Sequence, residues 1–233
     1  MEKSRITAIV LAAGQGKRMN TPVAKQFLTI KEKPILYYSL KAFEESSVDE
    51  IILVTGTDQV EYCREKIVRK FNIGKVAAIL EGGAERYDSV YCALTAISGT
   101  DYILIHDGAR PFLTRGLIEM VIREVMECRA CIPGVPVKET IKIVNEENYI
   151  TSTPDRNTLW AAQTPQAFEF HSIRKAYELM KQDNNQNNIT DDAVVYETYL
   201  KKPVKMLMGD YNNLKLTTPE DYTRAKALAE ELL

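Results

Sequence analysis

The sequence predicts an α/β fold, a mostly parallel sheet wound on both faces, and three observations carry that prediction. Short β-branched apolar runs alternate with stretches of helical spacing along nearly the whole chain. The connections between them are short, as in successive strand–helix–strand units. The first run, ITAIVLAA (Ile6 to Ala13), is apolar on both alternating faces, which a sheet covered by helices on both sides requires.

The elements follow in order. Pro34 suits the first turn of a helix, and Ile35, Leu36, Leu40 and Phe43 then recur at helical spacing. EIILVTG (Glu50 to Gly56) reads as a second strand, followed by a polar helix from about Asp58 to Phe71. VAAILEG (Val76 to Gly82) reads as a third strand, Asp88 to Ser98 as a helix and DYILIHD (Asp101 to Asp107) as a fourth strand. Helix returns from Thr114 to Glu127 and strand from Ala130 to Val137. From Lys138 to Thr153 two short alternating segments flank a polar Asn-Glu-Glu-Asn turn, the pattern of a hairpin. Isolated hairpins are marginal in water, so this arm is expected to lie against something else, a second subunit being the candidate. An irregular stretch reaches Phe168, a helix runs from Ser172 to Lys181, and QDNNQNN reads as a solvated loop. A helix then follows Thr190 as its expected cap, Val204 to Met208 forms a strand, and helix closes the chain from Pro219. No linker is long enough to separate domains, so 1–233 reads as one domain with a β-arm at about 138–153.

The composition narrows the function. A chain of 233 residues with 45% hydrophobic and 27% charged side chains is an ordinary globular protein that needs no disulfides or structural metal. A formal charge of −2 argues against a duplex-binding protein, which carries a basic excess. The N-terminal apolar run is too short for a membrane span and leads into glycines and basic residues, unlike a signal peptide, so a cytoplasmic location is expected. Cys63, Cys92, Cys128 and Cys131 are too scattered for a disulfide framework. Cys128 and Cys131 form a CxxC, but no second pair with metal spacing accompanies it, and they read as reduced thiols.

Four stretches carry chemistry. LAAGQGKRM (Leu11 to Met19) is a glycine-rich turn directly after the first strand, where backbone N–H groups can approach an anion, with Lys17, Arg18 and Lys25 adding charge. It is neither a dinucleotide fingerprint, since Met19 stands at the third glycine position, nor a P-loop, since Arg18 follows Gly16-Lys17. HDGARPF (His106 to Phe112) lies at the carboxyl end of the fourth strand, the edge where open α/β sheets bind ligands. Asp107 there is either a cation ligand or a turn cap, and His106 reads as a hydrogen-bonded core or edge histidine rather than a base. GGAERYDSV (Gly82 to Val90) is a second glycine turn feeding a helix, suited to backbone contact with a base or ribose. The fourth group is dispersed: KETIK, DRNTLWAAQTPQAF, ITDDA and NNLKLTTPED.

Taken in register, LAAGQGKRM with KQF, GGAERYDSV, HDGARP, KETIK, DRNTLW with QTPQAF, TDDA and NLKLTTPED run in this order across nearly the whole chain. The chain thereby resembles the 2-C-methyl-D-erythritol 4-phosphate cytidylyltransferases of the non-mevalonate isoprenoid pathway. Two positions depart from the pattern: Glu139 stands where aspartate is usual, and the loop before Thr190 is rich in Asn and Gln. The resemblance implies a Rossmann-like sheet of the nucleotidyltransferase type and transfer of CMP from CTP to methylerythritol phosphate, with magnesium. It implies that Ala13, Gly14, Gly16, Arg18 and Lys25 wrap the triphosphate, and that Gly82, Gly83, Asp88 and Ser89 read the cytidine. Asp107 would stand beside the metal and ribose, with Ala109 and Arg110 in the same pocket. Thr190 and Lys215 of one subunit would grip methylerythritol phosphate, and Thr140 and Arg156 of a partner's arm would meet its phosphate, giving a homodimer with shared sites. Arg18, Lys25 and Lys215 would act on the reacting phosphates.

Two rivals stand beside this reading. The similarly built ribitol 5-phosphate cytidylyltransferases tend to carry AGG and HDAVRP where this chain has Ala12-Ala13-Gly14 and HDGARP. The other is a non-catalytic nucleotide-binding protein on the same fold, since fold does not fix function.

Overall fold

The structure is a computed structural model that describes residues 3–14, 24–183 and 188–232. Its sheet is assembled from β1 (Ile6–Ala12), β4 (Glu50–Thr55), β5 (Val76–Glu81), β6 (Tyr102–Asp107), β7 (Ala130–Pro136), β10 (Trp160–Ala162), β11 (Gln166–Glu169) and β12 (Lys205–Met208). The order is β10-β7-β11-β6-β1-β4-β5, with β12 paired in parallel to β7. β10 and β11 run antiparallel to their neighbours, and the remaining pairings are parallel. Two small ladders lie outside this sheet: β2 (Thr29–Ile30) with β3 (Lys33–Pro34), and β8 (Ile143–Val144) with β9 (Ile150–Ser152).

The double winding follows from side-chain alternation. Ala8 and Val10 of β1 point into one core with Leu36, Leu40 and Phe43 of α1 (Ile35–Glu44) and Leu117, Ile118 and Val121 of α4 (Arg115–Cys128). Ile9, between them, points into the opposite core with Val90 and Leu94 of α3 (Arg86–Ala96), Ile173 and Tyr177 of α5 (Phe170–Gln182) and Val195 of α6 (Asp192–Leu200). The same division repeats in β4, where Ile51 and Leu53 face one layer and Ile52 and Val54 the other. A third, smaller cluster seats α7 (Pro219–Leu232) through Ala225 and Ala229 against Ile30, Ile35 and Phe112. Apolar burial on both faces, at about 25 cal/mol per Å², is what makes these strands read as continuous apolar runs.

Besides the unread β2–β3 ladder, the structure departs from the sequence reading at four places. The stretch before Phe168 is not irregular: it forms β10 and β11, joined through a cis Thr164–Pro165 peptide, and β11 pairs with both β6 and β7. Strands of three and four residues are too short for alternation to declare itself. The polar helix after β4 is broken into a 3₁₀ turn, a single α turn α2 (Val60–Cys63) and a wide π turn at Arg64–Arg69. The helix expected from Asp88 starts at Arg86, because Glu85 and Asp88 form a reciprocal capping box. Finally, α6 is capped by Asp191, not Thr190: the Asp191 carboxylate accepts from the Val194 amide at 3.0 Å.

The hairpin stands where the sequence placed it. Asn145 closes its turn, Oδ1 accepting from the amides of Glu147 (3.2 Å) and Tyr149 (2.9 Å), and Asn148 takes the left-handed conformation. Its Ile143, Val144, Tyr149 and Ile150 are exposed. Cys128 and Cys131 bracket the junction from α4 to β7, and all four cysteines are free. No helix among the described residues is long and apolar enough to cross a membrane.

Candidate active site

Chain order locates the site. After β1 the chain adds β4 and β5 on one side, then crosses back and lays β6 on the other side of β1. The connections at the carboxyl ends of β1 and β6 therefore diverge, opening the crevice in which α/β sheets bind ligands. The register places Leu11 beside Asp107 and Ala12 beside Thr55, so the ends of three strands meet there. A cavity of about 730 Å³ occupies this position, of a size for a nucleotide.

Its walls are the two glycine turns and the charged strand end. Ala13, Gly14, Lys25, Gly82, Gly83, Ser89, Asp107, Ala109 and Lys215 all line it. A Cβ on Gly82 would stand 2.6 Å from both Ala13 Cβ and Ser89 Oγ, so only glycine lets the turn after β5 pack this closely on the turn after β1. Gly83 is equally committed, since its added carbon would overlap Asp88, and its amide donates to Ser89 Oγ at 3.1 Å. Gln26 braces the first turn from beneath, Nε2 donating to Ala12 O at 2.7 Å.

Asp107 is the electrostatic centre. It is buried, yet three cations converge on it: Lys215 Nζ at 2.8 Å from Oδ2, Arg86 Nε at 3.1 Å from Oδ1, and Arg110 Nε at 4.0 Å. Burial pushes its carboxyl up, but the charges of Arg86, Lys215 and Arg110 outweigh it and hold the group well below the usual carboxylate range. Arg110 is buried, with Nη1 donating to Asn213 O at 2.6 Å, and does not line the cavity. His106 is fully buried, its Nδ1 shares a 3.0 Å hydrogen bond with Thr164 Oγ1, and burial lowers its pKa to about 3. A neutral, enclosed imidazole of this kind is a core group.

Of the remaining expected residues, the described ones, Asp88, Thr190, Thr140 and Arg156, do not line the cavity. Gly16 and Arg18 fall outside the described residues. Asp88 does not line the cavity; it pairs with Lys181 and accepts from the Glu85 amide at 3.1 Å. Thr190 is exposed and does not line the cavity. Thr140 and Arg156 are exposed at the base of the hairpin, where Arg156 Nη1 donates to Lys138 O at 3.0 Å. Sequence reasoning missed Arg86, a wall residue that also pairs bidentately with Asp192. Its partners lie 21 and 106 positions away, so no local spacing signals them.

A doubly wound sheet with two glycine turns and clustered cations at its switch point defines a nucleotidyltransferase-type α/β protein. Residues 6–231 match the family model for 2-C-methyl-D-erythritol 4-phosphate cytidylyltransferase, and the chain belongs to that family. A protein of that name from Lachnoclostridium phytofermentans is 49% identical over 99% of this chain and 98% of its own length. Another from Clostridium botulinum is 46% identical over 98% of this chain and 99% of its own. Among solved structures, 4-diphosphocytidyl-2C-methyl-D-erythritol synthase from Anaerococcus prevotii superposes with a TM-score of 0.86 at 31% identity, covering 97% of this chain and 96% of that one. The Thermus thermophilus cytidylyltransferase does so with a TM-score of 0.77 at 28% identity, covering 97% and 99%.

Proposed function

We propose that this chain transfers CMP from CTP to 2-C-methyl-D-erythritol 4-phosphate, giving 4-diphosphocytidyl-2-C-methyl-D-erythritol and pyrophosphate. The observation that carries the reading is the convergence of both glycine turns, Lys25, Lys215 and Asp107 on one cavity at the switch point.

The chemistry follows from charge. A phosphate oxygen of the sugar phosphate attacks the α-phosphorus of CTP, and the bond to the β-phosphate oxygen breaks as pyrophosphate leaves. A phosphate monoester is largely ionised at neutral pH, so the nucleophile needs no base. His106, buried and neutral, is not called upon. The glycine turn after β1 offers backbone amides to the triphosphate, and Lys25, Lys215 and Arg18 balance the charge that two anions bring together. Ala13 and Gly14 begin that turn, Gly16 would join them on the triphosphate, and Gly82, Gly83 and Ser89 would bring the second turn to the nucleoside.

The donor set fits a magnesium ion that arrives with the nucleotide. Among the described residues no three His, Cys, Asp or Glu side chains gather as a metal-holding group. Asp107 supplies a hard carboxylate at the cavity wall, and magnesium takes one or two carboxylates plus substrate phosphates. When bound it offsets charge on the phosphates and the departing pyrophosphate.

The hairpin reads as a dimer clasp. Its exposed Ile143, Val144, Tyr149 and Ile150 form apolar surface on a two-stranded ladder too small to be stable alone. Docked on a second subunit in the cytoplasm, the arm would bring Thr140 and Arg156 to the partner's cavity, beside Lys215 on its wall, with Thr190 reaching the sugar phosphate from outside that lining.

The test is pyrophosphate release from CTP with methylerythritol phosphate and with ribitol 5-phosphate, each with and without magnesium. Magnesium-dependent release with the first alone is expected. Preference for ribitol 5-phosphate moves the chain to the rival activity, and release with neither refutes the reading.

A further inference from the structure

Asp192 and Tyr177 have no surface on the cavity, and both are fully buried, yet together they grip one of its wall residues. Arg86 donates to Asp192 through Nη1 (2.9 Å to Oδ1) and Nη2 (2.7 Å to Oδ2), a two-pronged pairing. Its Nε donates to Asp107 at 3.1 Å. Tyr177 Oη donates to Asp192 Oδ1 at 2.6 Å. Asp192 is itself held from behind, because Gln166 Oε1 of β11 accepts from the amides of Asp192 and Ala193, each at 3.0 Å. A guanidinium is a rigid planar fork, so fixing three of its N–H groups fixes the direction of the other two. The carboxylate on the far side of Arg86 therefore decides where those two donors, and Asp107 with them, stand at the cavity wall.

We infer that Asp192 and Tyr177 are positioning residues, acting through Arg86 on the nucleotide end of the cavity. The inference rests on the CMP-transfer reading above. The plainer role, a staple between α3, α5 and α6, predicts an effect on stability alone.

The experiment separates the two. Asp192→Asn keeps the side chain's size and removes its charge, and Tyr177→Phe keeps the ring and removes one donor. Both are assayed by steady-state pyrophosphate release, with rates normalised to folded protein. Loss of positioning is expected to lower kcat on the order of tenfold to a hundredfold in Asp192→Asn and about threefold to tenfold in Tyr177→Phe. The KM for CTP should stay within about threefold, because the glycine turns and Lys25 are untouched. In an Arg86→Lys background, whose single ammonium cannot span both carboxylates, Tyr177→Phe should change kcat less than about twofold. If Asp192→Asn does not fold, Tyr177→Phe with and without Arg86→Lys decides the matter. A Tyr177→Phe enzyme with wild-type kcat, or one equally impaired in both backgrounds, overturns the inference. Wild-type protein that releases no pyrophosphate from CTP with either sugar phosphate overturns the functional reading instead.

Discussion

Replacing Lys215 with alanine separates catalysis from stability most sharply. Lys215 Nζ stands 2.8 Å from Asp107 Oδ2, but its side chain is 37% exposed. An ion pair that open to water contributes no more than about 1 kcal/mol to folding. Asp107 also keeps Arg86 at 3.1 Å and Arg110 at 4.0 Å after the change, so its charge stays compensated. For a chain of this size the melting temperature should therefore fall by no more than about 4 °C. The effect on the reaction is larger. A cation about 4 Å from a transferring phosphate interacts with it by about 4 kcal/mol at an effective dielectric of 20, before desolvation. Loss of one oriented donor commonly removes about 2.7–4 kcal/mol of transition-state stabilisation, a hundredfold to a thousandfold in rate. Lys215→Ala should thus lower turnover at least about a hundredfold, measured by pyrophosphate release at saturating CTP, with an unchanged circular dichroism spectrum. Activity within a few-fold of wild type would refute the electrostatic account, and a collapsed fold would refute the stability argument.

Other outcomes follow from the same geometry. Lys25→Ala should also lower turnover at least about a hundredfold with the fold intact. Mixing Lys25→Ala and Arg156→Ala chains should restore about a quarter of wild-type activity, since half the random dimers would hold one intact shared site; no rescue in verified mixed dimers contradicts sharing. Gly82→Ala forces a carbon to 2.6 Å from Ala13 Cβ and should destabilise by about 1–3 kcal/mol, at roughly 2–4 °C each, while weakening CTP binding in calorimetry. His106, with its pKa lowered to about 3, stays neutral in the fold while the unfolded chain gains a proton below about 6.5. Its contribution is full above about pH 6.5 and is lost as pH falls towards about 3, by about 2 kcal/mol between pH 6.5 and 5. Urea midpoints should show that loss in wild type and a reduced one in His106→Gln.

The frame was legible where burial on two faces writes itself into a strand. Ile9 and Val10 are both fully buried, in opposite cores, so β1 has no polar face to interrupt the apolar run. The second glycine turn was legible because a side chain at Gly82 or Gly83 has nowhere to go. What stayed hidden depends on distance along the chain. β11 gains its place from pairing with β6 and β7, not from its four residues. Thr190 and Asp191 are both good caps, and Asp191 is tied in place by Gln166 Nε2 at 2.9 Å, a contact across 25 positions. Arg86 looks like a surface residue between Glu85 and Tyr87 until Asp107 and Asp192 are brought to it.

A crystal structure with CTP and magnesium tests the central claim most directly. The account predicts the triphosphate on the turn that follows β1, within reach of Lys25 and Lys215, and the base against the Gly82–Gly83 turn. A nucleotide bound anywhere else on the chain would contradict it.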